Sequence, residues 1–427
     1  MKQLLNAIIA AGMLSAIVAR AAVGEEAAGA ISASDLNTAV GAPLFQESTT
    51  LWDENASDVA KRLQMPQESQ TSRQSSFRKY PNSSSRILGA RPFSMALYGA
   101  GGKSVRLSLV YANKGDFFSG KGGGEEHFDK NDVKRGDVRE FRKAMDADEK
   151  AITSTLTGLL GKAKSQSFGE GNSRQTVERW DWNGHAFLLA EENNEYVTLQ
   201  IEPTASADEG GKVERSLDSS VRDRIRENLQ KRDNGDVVVG DLPMVDQGPK
   251  GYCVPATFER CMRHVDVPAD MYLLAMVGDT GLGGSTSLAE LVSAVQRDVR
   301  RKGRSVKTFS GKVKASLVAR YIDDGIPVIW SMNSTPAFND IANKRTAARR
   351  AVKDWDEWAK QVKKEQRGSR DLSKDDSNSH VTMIIGYNKD TDEIAISDSW
   401  GNAYRERWIG EKEAQEVSEG SFVVILP

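Results

Sequence analysis

The chain has 427 residues, of which 39% are hydrophobic and 28% charged, with a formal net charge of −2. That length supplies two or three domains with cores of their own, which excludes a disulfide-stapled miniature, and the composition is that of a globular chain rather than a disordered one. A charge so near zero argues against a nucleic-acid partner, and two cysteines with four histidines leave little room for a metal site of familiar Cys/His spacing, so neither metal nor other cofactor is expected.

Residues 1–21 read as an export signal: Lys2, an apolar run from Leu4 to Val18, then Ala19-Arg20-Ala21 with small residues at the cleavage positions. The run is short of the ~20 residues that cross a bilayer, and no other segment comes near it. The processed chain is therefore expected to have no membrane span and to be periplasmic or extracellular. Residues 22–90 read as a poorly ordered or helical segment, with a short helix over 51–63 and a Ser- and Thr-rich linker over 67–86 that offers little to bury. From Ser94 the period becomes two, with Met95 and Leu97, then Val105, Leu107, Leu109 and Tyr111, on either side of Gly101-Gly102, which predicts a hairpin. A helix over 138–163 and strands over 177–182, 186–191 and 196–201, joined by Asn183-Gly184 and Glu192-Asn193-Asn194, complete a small α+β accessory domain at residues 91–205. Residues 206–235 read as a charged helical linker ending at Arg232-Asp233-Asn234-Gly235. Gly102-Lys103-Ser104 lacks the upstream glycine and following helix of a phosphate loop, and Asp129-Lys130-Asn131-Asp132 lacks the glycine and closing Glu of a calcium loop. His127 and His185 have no partner ligands at useful spacing and read as surface or packing residues.

The chemistry lies in residues 236–427. A loop containing Gly248 and Gly251 runs into a helix whose first turn holds Cys253 and Pro255, a place where proline costs no hydrogen bond. Unpaired N–H groups and the helix dipole there favour thiolate over thiol. Downstream, His380 opens an apolar strand ending at Tyr387, residues 388–392 turn, and a second strand from Glu393 leads to Asp398. Paired as an antiparallel hairpin, the two strands bring His380 close to Asp398. The imidazole then takes the thiol proton while the carboxylate fixes its tautomer and stabilises its charged form. Cys261, on the same helix and about 12 Å further along it, is too far for a disulfide and reads as structural. His264, at the helix end, reads as a cation complementing the dipole. Ser287 reads as the N-cap of a helix over 288–299, and the loop 281–287 before it either borders the cleft or is a plain connection. A strand over 326–332 leads to a helical insertion over 337–367 bearing Trp355 and Trp358, which is either a lid or partner-binding helix or simply packs its aromatics. Residues 297–320 carry nine Lys or Arg and one acid, a composition that favours acidic substrates or polyanions.

Together these residues resemble the papain-like cysteine peptidases and, among them, the C39-like branch. The likeness rests on Gln247 ahead of Cys253, the helix opening at the cysteine, the His380 strand ending in Gly386-Tyr387, and Ser399-Trp400-Gly401 directly after Asp398, and it covers about residues 236–427. It implies a papain-like α+β fold and hydrolysis of a peptide or protein substrate, with Gln247 and the Cys253 N–H as oxyanion hole, His380 as general base and acid, and Trp400 shielding the His–Asp pair from water. Asp398 stands where papain has Asn and C39-like relatives have Asp. The Cys-Gly-Ser-Cys-Trp context of papain is replaced by Gly251-Tyr252-Cys253-Val254. The expectation is thus an α+β protein, with a papain-like cysteine peptidase fold in the C-terminal domain preceded by a small α+β accessory domain, acting as an exported cysteine peptidase. An amidase or acyltransferase with the same triad, and a non-catalytic binding protein on that scaffold, are the alternatives. For the N-terminal half the expectation is a pro-domain or substrate-presenting module, and the oligomeric state is left open.

Overall fold

Period-two sequence in the N-terminal half becomes a fully antiparallel sheet in the computed structural model, which describes residues 31–119, 138–282, 284–367, 372 and 379–427. Its strands are β1 (Gln67–Gln70), β2 (Gln74–Lys79), β3 (Ser94–Ala100), β4 (Lys103–Asn113), β5 (Lys164–Phe168), β6 (Gln175–Trp182), β7 (His185–Glu192) and β8 (Tyr196–Pro203). They lie in the order β1-β2-β3-β4-β8-β7-β6-β5. The β6–β7 turn is Asn183-Gly184, with φ of 42° and 76°, the left-handed pair that matches a two-residue hairpin to the strand twist. Helix Val138–Leu160 places Phe141, Met145, Ile152 and Leu156 on one stripe, in a core with Leu107, Leu109, Phe187 and Leu199. Gly102-Lys103-Ser104 is the turn into β4, and Lys103 Nζ donates to Asp53 O at 2.6 Å.

Two expectations for the N-terminal segment need correction. Over 67–86 the chain is no free linker, because β1 and β2 form the edge of the sheet and Glu68, Ser69, Ser75, Ser76 and Arg78 are buried. Their polarity serves hydrogen bonds rather than solvent: Arg78 Nε and Ser76 Oγ donate to Glu68 at 2.5 and 2.8 Å, and Met244 N–H donates to Ser69 Oγ at 2.9 Å. Residues 31–47 are likewise ordered. Ser32 and Asp35 form a capping box for helix Ala33–Val40, which buries Leu36 and Val40. The helix expected over 51–63 is shorter, Ala56–Arg62. Residues 1–30, with the export signal, and 120–137, with His127 and Asp129 to Asp132, lie outside the described residues.

The second sheet contains β9 (Leu229–Lys231), β10 (Val237–Val239), β11 (Ser305–Ser310), β12 (Val328–Asn333), β13 (Ser379–Asn388), β14 (Glu393–Ser397), β15 (Arg407–Gly410) and β16 (Ser418–Leu426). The order is β11-β16-β12-β13-β10-β9, with β14 also on β13 and β15 on β14, so β13 has neighbours along both edges. Helices Cys253–His264, Leu288–Arg301 and Ala315–Ile322 bury Phe258, Leu291, Val295, Val318 and Ile322 in one core with Trp330 and Met383. Mixed helix and antiparallel sheet of this kind is the α+β class expected.

The stretch 206–235 also differs from a plain linker. Helix Asp218–Glu227 buries Val221 and Ile225 in the second core, and β9 is a strand of the second sheet. The insertion over 337–367 is two helices, Pro336–Arg349 and Trp355–Glu365. Trp358 is buried and donates to Glu393 at 3.1 Å, while Arg349 lies over the Trp408 ring at 3.8 Å and pairs with Asp236 at 2.5 Å and with Glu393. Of its two tryptophans Trp358 is packed, while Trp355 is half-buried with Arg349 over its ring at 4.9 Å. Among the described residues no helix is long and apolar enough to cross a membrane.

Candidate active site

Cys253 is the first residue of its helix. Tyr252 at the N-cap gives no side-chain hydrogen bond, so the first-turn N–H groups are left uncapped beside the thiol. Two later residues on the helix dock it. Thr257 Oγ1 donates to Val381 O at 3.3 Å, and buried Arg260 donates to Ser397 Oγ at 2.6 Å and Pro243 O at 2.9 Å. The contacts to Val381 and Ser397 tie the helix to the β13–β14 hairpin. In that hairpin Met383 pairs with Ser397, so His380 near the start of one strand meets Asp398 just past the end of the other. His380 Nε2 lies 3.0 Å from Asp398 Oδ1, which leaves its other ring nitrogen for a second partner.

Burial raises the Cys253 thiol, but the hydrogen bond and charge of His380, with the backbone N–H groups of Val381 and Val254, bring it below its ordinary value. Burial pulls His380 down, yet Asp398 and Cys253 hold it up at about 9. Burial likewise opposes the charge on Asp398, which His380 and Arg407 nevertheless keep at about 2. The shifts run toward thiolate at Cys253, imidazolium at His380 and carboxylate at Asp398. Cys253 is half-buried; Cys261 is buried, its Sγ lies 3.2 Å from Met383 Sδ, and burial pushes its thiol up to about 12. Both thiols are free.

Arg407, which sequence reasoning passed over, completes the acidic end of the site. It is 2% exposed and donates to Asp398 Oδ2 from Nη2 at 2.6 Å and Nε at 3.2 Å. Its Nη1 donates to Asn339 Oδ1 at 3.0 Å and Asn343 Oδ1 at 3.1 Å, two amides at i, i+4 on helix Pro336–Arg349. The helical insertion therefore reaches Asp398 through Arg407. The hint in the sequence was an arginine leading the apolar strand residues Trp408 and Ile409. Trp400 stacks on His380 with ring centroids 4.6 Å apart and planes at 27°, and Tyr404 meets Trp400 edge-on.

Gln247 sits in the loop ahead of the helix, its N–H bonded to Ser399 O at 2.9 Å and its Nε2 donating to Lys250 O at 3.0 Å. A primary amide carries two N–H groups, so one stays free for a second acceptor. The loop 281–287 abuts this region: Gly284, at φ +98°, approaches so closely that a Cβ there would lie 2.7 Å from Gly251 N. Ser287 caps the helix Leu288–Arg301 by accepting Glu290 N–H at 3.3 Å.

His264 is corrected. It is buried, which lowers it to about 4, and Nε2 donates to Gly325 O at 2.9 Å, so it is a neutral core residue rather than a cation at the helix end. His185 is also packed, accepting Leu51 N–H at 3.1 Å and stacking on Trp182. Of the basic stretch, Arg301 pairs with Asp298, Lys302 with Glu170 and Arg304 with Asp218, so part of that charge is spent internally. Among the described residues no group of three or more His, Cys, Asp or Glu side chains is placed to hold a metal ion.

Residues 239–419 match the family model described as Peptidase_C39 like family. No curated protein matches the chain. Solved structures similar to it include the peptidase domain of ComA from Streptococcus, a bi-functional ABC transporter involved in a quorum sensing pathway. That likeness covers 43% of this chain and 97% of the other at 14% identity, with a TM-score of 0.28, too remote to carry an argument.

Proposed function

Since its C-terminal region, residues 239–419, belongs to the Peptidase_C39 like family and has the papain-like fold, we propose that the protein is an exported cysteine peptidase acting through Cys253, His380 and Asp398. The observation that carries this reading is His380 Nε2 at 3.0 Å from Asp398 Oδ1, in an imidazole that Asp398 and Cys253 together hold above its ordinary value against burial. Export is supported by the sequence of residues 1–21.

In this mechanism the Cys253 thiolate attacks the scissile carbonyl carbon, and the oxygen that gains the electron pair is received by the Cys253 N–H and the free N–H of Gln247 Nε2. The His380 imidazolium gives its proton to the departing amine as the C–N bond breaks, leaving a thioester. Neutral His380 then takes a proton from water, whose oxygen attacks the thioester, and the tetrahedral species expels the thiolate with release of the acid. Asp398 orients the ring throughout, held by Arg407, while Trp400 keeps water from the His–Asp pair.

The test is iodoacetamide alkylation of the full chain across pH, read by mass spectrometry at Cys253 and Cys261 separately. Rapid labelling of Cys253 alone at pH ~6, lost in His380→Ala, is expected. Slow labelling of both thiols that rises only above pH ~8 would leave a non-catalytic binding protein as the better reading. Product analysis on peptides against small amides then separates a peptidase from an amidase or acyltransferase.

A further inference from the structure

We propose that the N-terminal half is a permanent positioning element of this site, in which Asp116 and Tyr80 hold the loop from Asp246 to Tyr252 in the shape that aims Gln247. The proposal rests on the reading of Gln247 as an oxyanion donor. Its centre is Lys250, 1% exposed, whose ammonium lies 3.3 Å from Asp116 Oδ1. The rings of Tyr80, Tyr272 and Tyr252 surround that ammonium at 4.8, 4.9 and 5.4 Å, and Tyr272 OH donates to Asp116 Oδ2 at 3.3 Å. A buried ammonium is costly unless paired and faced by aromatic rings, so this one has a single favourable position, and it fixes its own backbone there.

That backbone matters because the Lys250 carbonyl accepts both Gln247 Nε2 at 3.0 Å and Tyr252 N–H at 2.9 Å. Its place sets the direction of the Gln247 amide and the start of the Cys253 helix. The other end of the loop is gripped from the same side: Tyr80 OH donates to Asp246 O at 2.5 Å, and Asp246 N–H donates to Glu68 Oε1 at 2.8 Å. The turn carrying Asp116 reaches the loop only because Gly115 lacks a side chain, since a Cβ there would lie 2.4 Å from the Tyr252 ring. A segment built to be discarded would take with it the anion that neutralises a buried lysine, and the remaining loop would hold an unpaired charge among aromatic rings. The geometry therefore favours a retained partner over a pro-domain.

The test compares two rates in the full chain and in Asp116→Asn and Tyr80→Phe. Alkylation of Cys253 by iodoacetamide at pH ~6 needs the Cys–His pair but no oxyanion hole, whereas acylation by p-nitrophenyl acetate needs both. Outright loss of an oxyanion donor costs about 10²–10³ in rate, so a misdirected one should slow acylation by about tenfold or more. Alkylation is expected within about twofold of the parent, with faster amide hydrogen exchange over residues 246–252. Unchanged acylation in both folded variants overturns the proposal, as does an equal fall in both rates, which marks general loss of structure. If the parent chain itself fails to alkylate rapidly, the peptidase reading falls separately, and unchanged exchange over 246–252 in Asp116→Asn then overturns the positioning role. Should Asp116→Asn not fold, the double variant Asp116→Asn/Lys250→Met, which removes the charge with its partner, carries the same comparison.

Discussion

Replacing Asp398 by Asn keeps the shape and the hydrogen-bond acceptor beside His380 and removes the charge. His380 stands at about 9 against an ordinary 6.5; burial draws it down, and the Asp398 hydrogen bond is foremost among the forces that hold it up. Without the carboxylate the imidazolium falls back toward its ordinary value. At pH ~7.5 a group of pKa about 9 is about 97% protonated and one of pKa 6.5 about 9%, so the thiolate–imidazolium population drops by up to about tenfold. The assay is the pseudo-first-order rate of Cys253 alkylation across pH, with buried Cys261 as an internal control. Asp398→Asn is expected to react about tenfold more slowly than the parent at pH ~7.5 and to converge with it only above pH ~9.5, where the thiol, ordinarily about 8.5, ionises without an imidazolium beside it. Arg407 is left with an unpaired buried charge, so stability falls by about 3–5 kcal/mol and the assay temperature must lie below the lowered melting point. An undiminished plateau at pH ~7.5 in the folded variant would refute the claim that the carboxylate charge keeps His380 protonated.

Two further outcomes follow from the same geometry. Gly115→Ala drives a methyl carbon into the Tyr252 ring and should cost about 1–3 kcal/mol in urea unfolding; an unchanged midpoint would show that the turn is free to move. Stability should also depend on pH through His380 and Asp398. His380 is raised on folding, so its contribution is complete below 6.5 and is lost as pH rises through about 9, whereas Asp398 is lowered, so its contribution is complete above 3.8 and is lost as pH falls through about 2. The melting temperature should therefore decline from pH ~6.5 to ~9, and His380→Gln should flatten that decline; an equal slope in the variant would locate the titrating group elsewhere.

The nearness of His380 to Asp398 was legible because its spacing is set locally. A short turn after Asn388 starts the pairing of β13 with β14, and a one-residue register shift between Ile384 and Gly386 then sets Met383 opposite Ser397, which brings His380 to Asp398. Cys253 was legible from the loop-to-helix transition with Pro255 in the first turn. The residues that were missed depend on chain far away. Ser69, Glu68 and Arg78 look like linker composition until Met244 and Asp246 arrive to take up their hydrogen bonds. His264 at a helix end implies a charge, and only the Gly325 carbonyl against it makes a neutral ring the better solution. Arg407 shows the same limit: its partners Asn339 and Asn343 lie on an insertion whose aromatics were the only visible signal. Hydropathy records how much a segment buries by itself and is silent on polar groups that a distant partner will dehydrate.

The position of β16 decides where this chain can be cut. The strand lies between β11 and β12, pairing Ile329 with Val423 on one edge and Phe309 with Phe422 on the other, so it is an interior stave of the sheet although it comes last in sequence. A fragment trimmed to the family match, residues 239–419, would lose nearly all of it and most of β10, opening seams beside Trp330, beside Phe309 and along β13 at Gly386 and Tyr387. Exposed seams of that kind pair with other chains, so such a fragment should collect in inclusion bodies, whereas a boundary that keeps residues 218–427 leaves every strand of the second sheet with its neighbours and Val221 and Ile225 in their core, though it still strips Lys250 of Asp116.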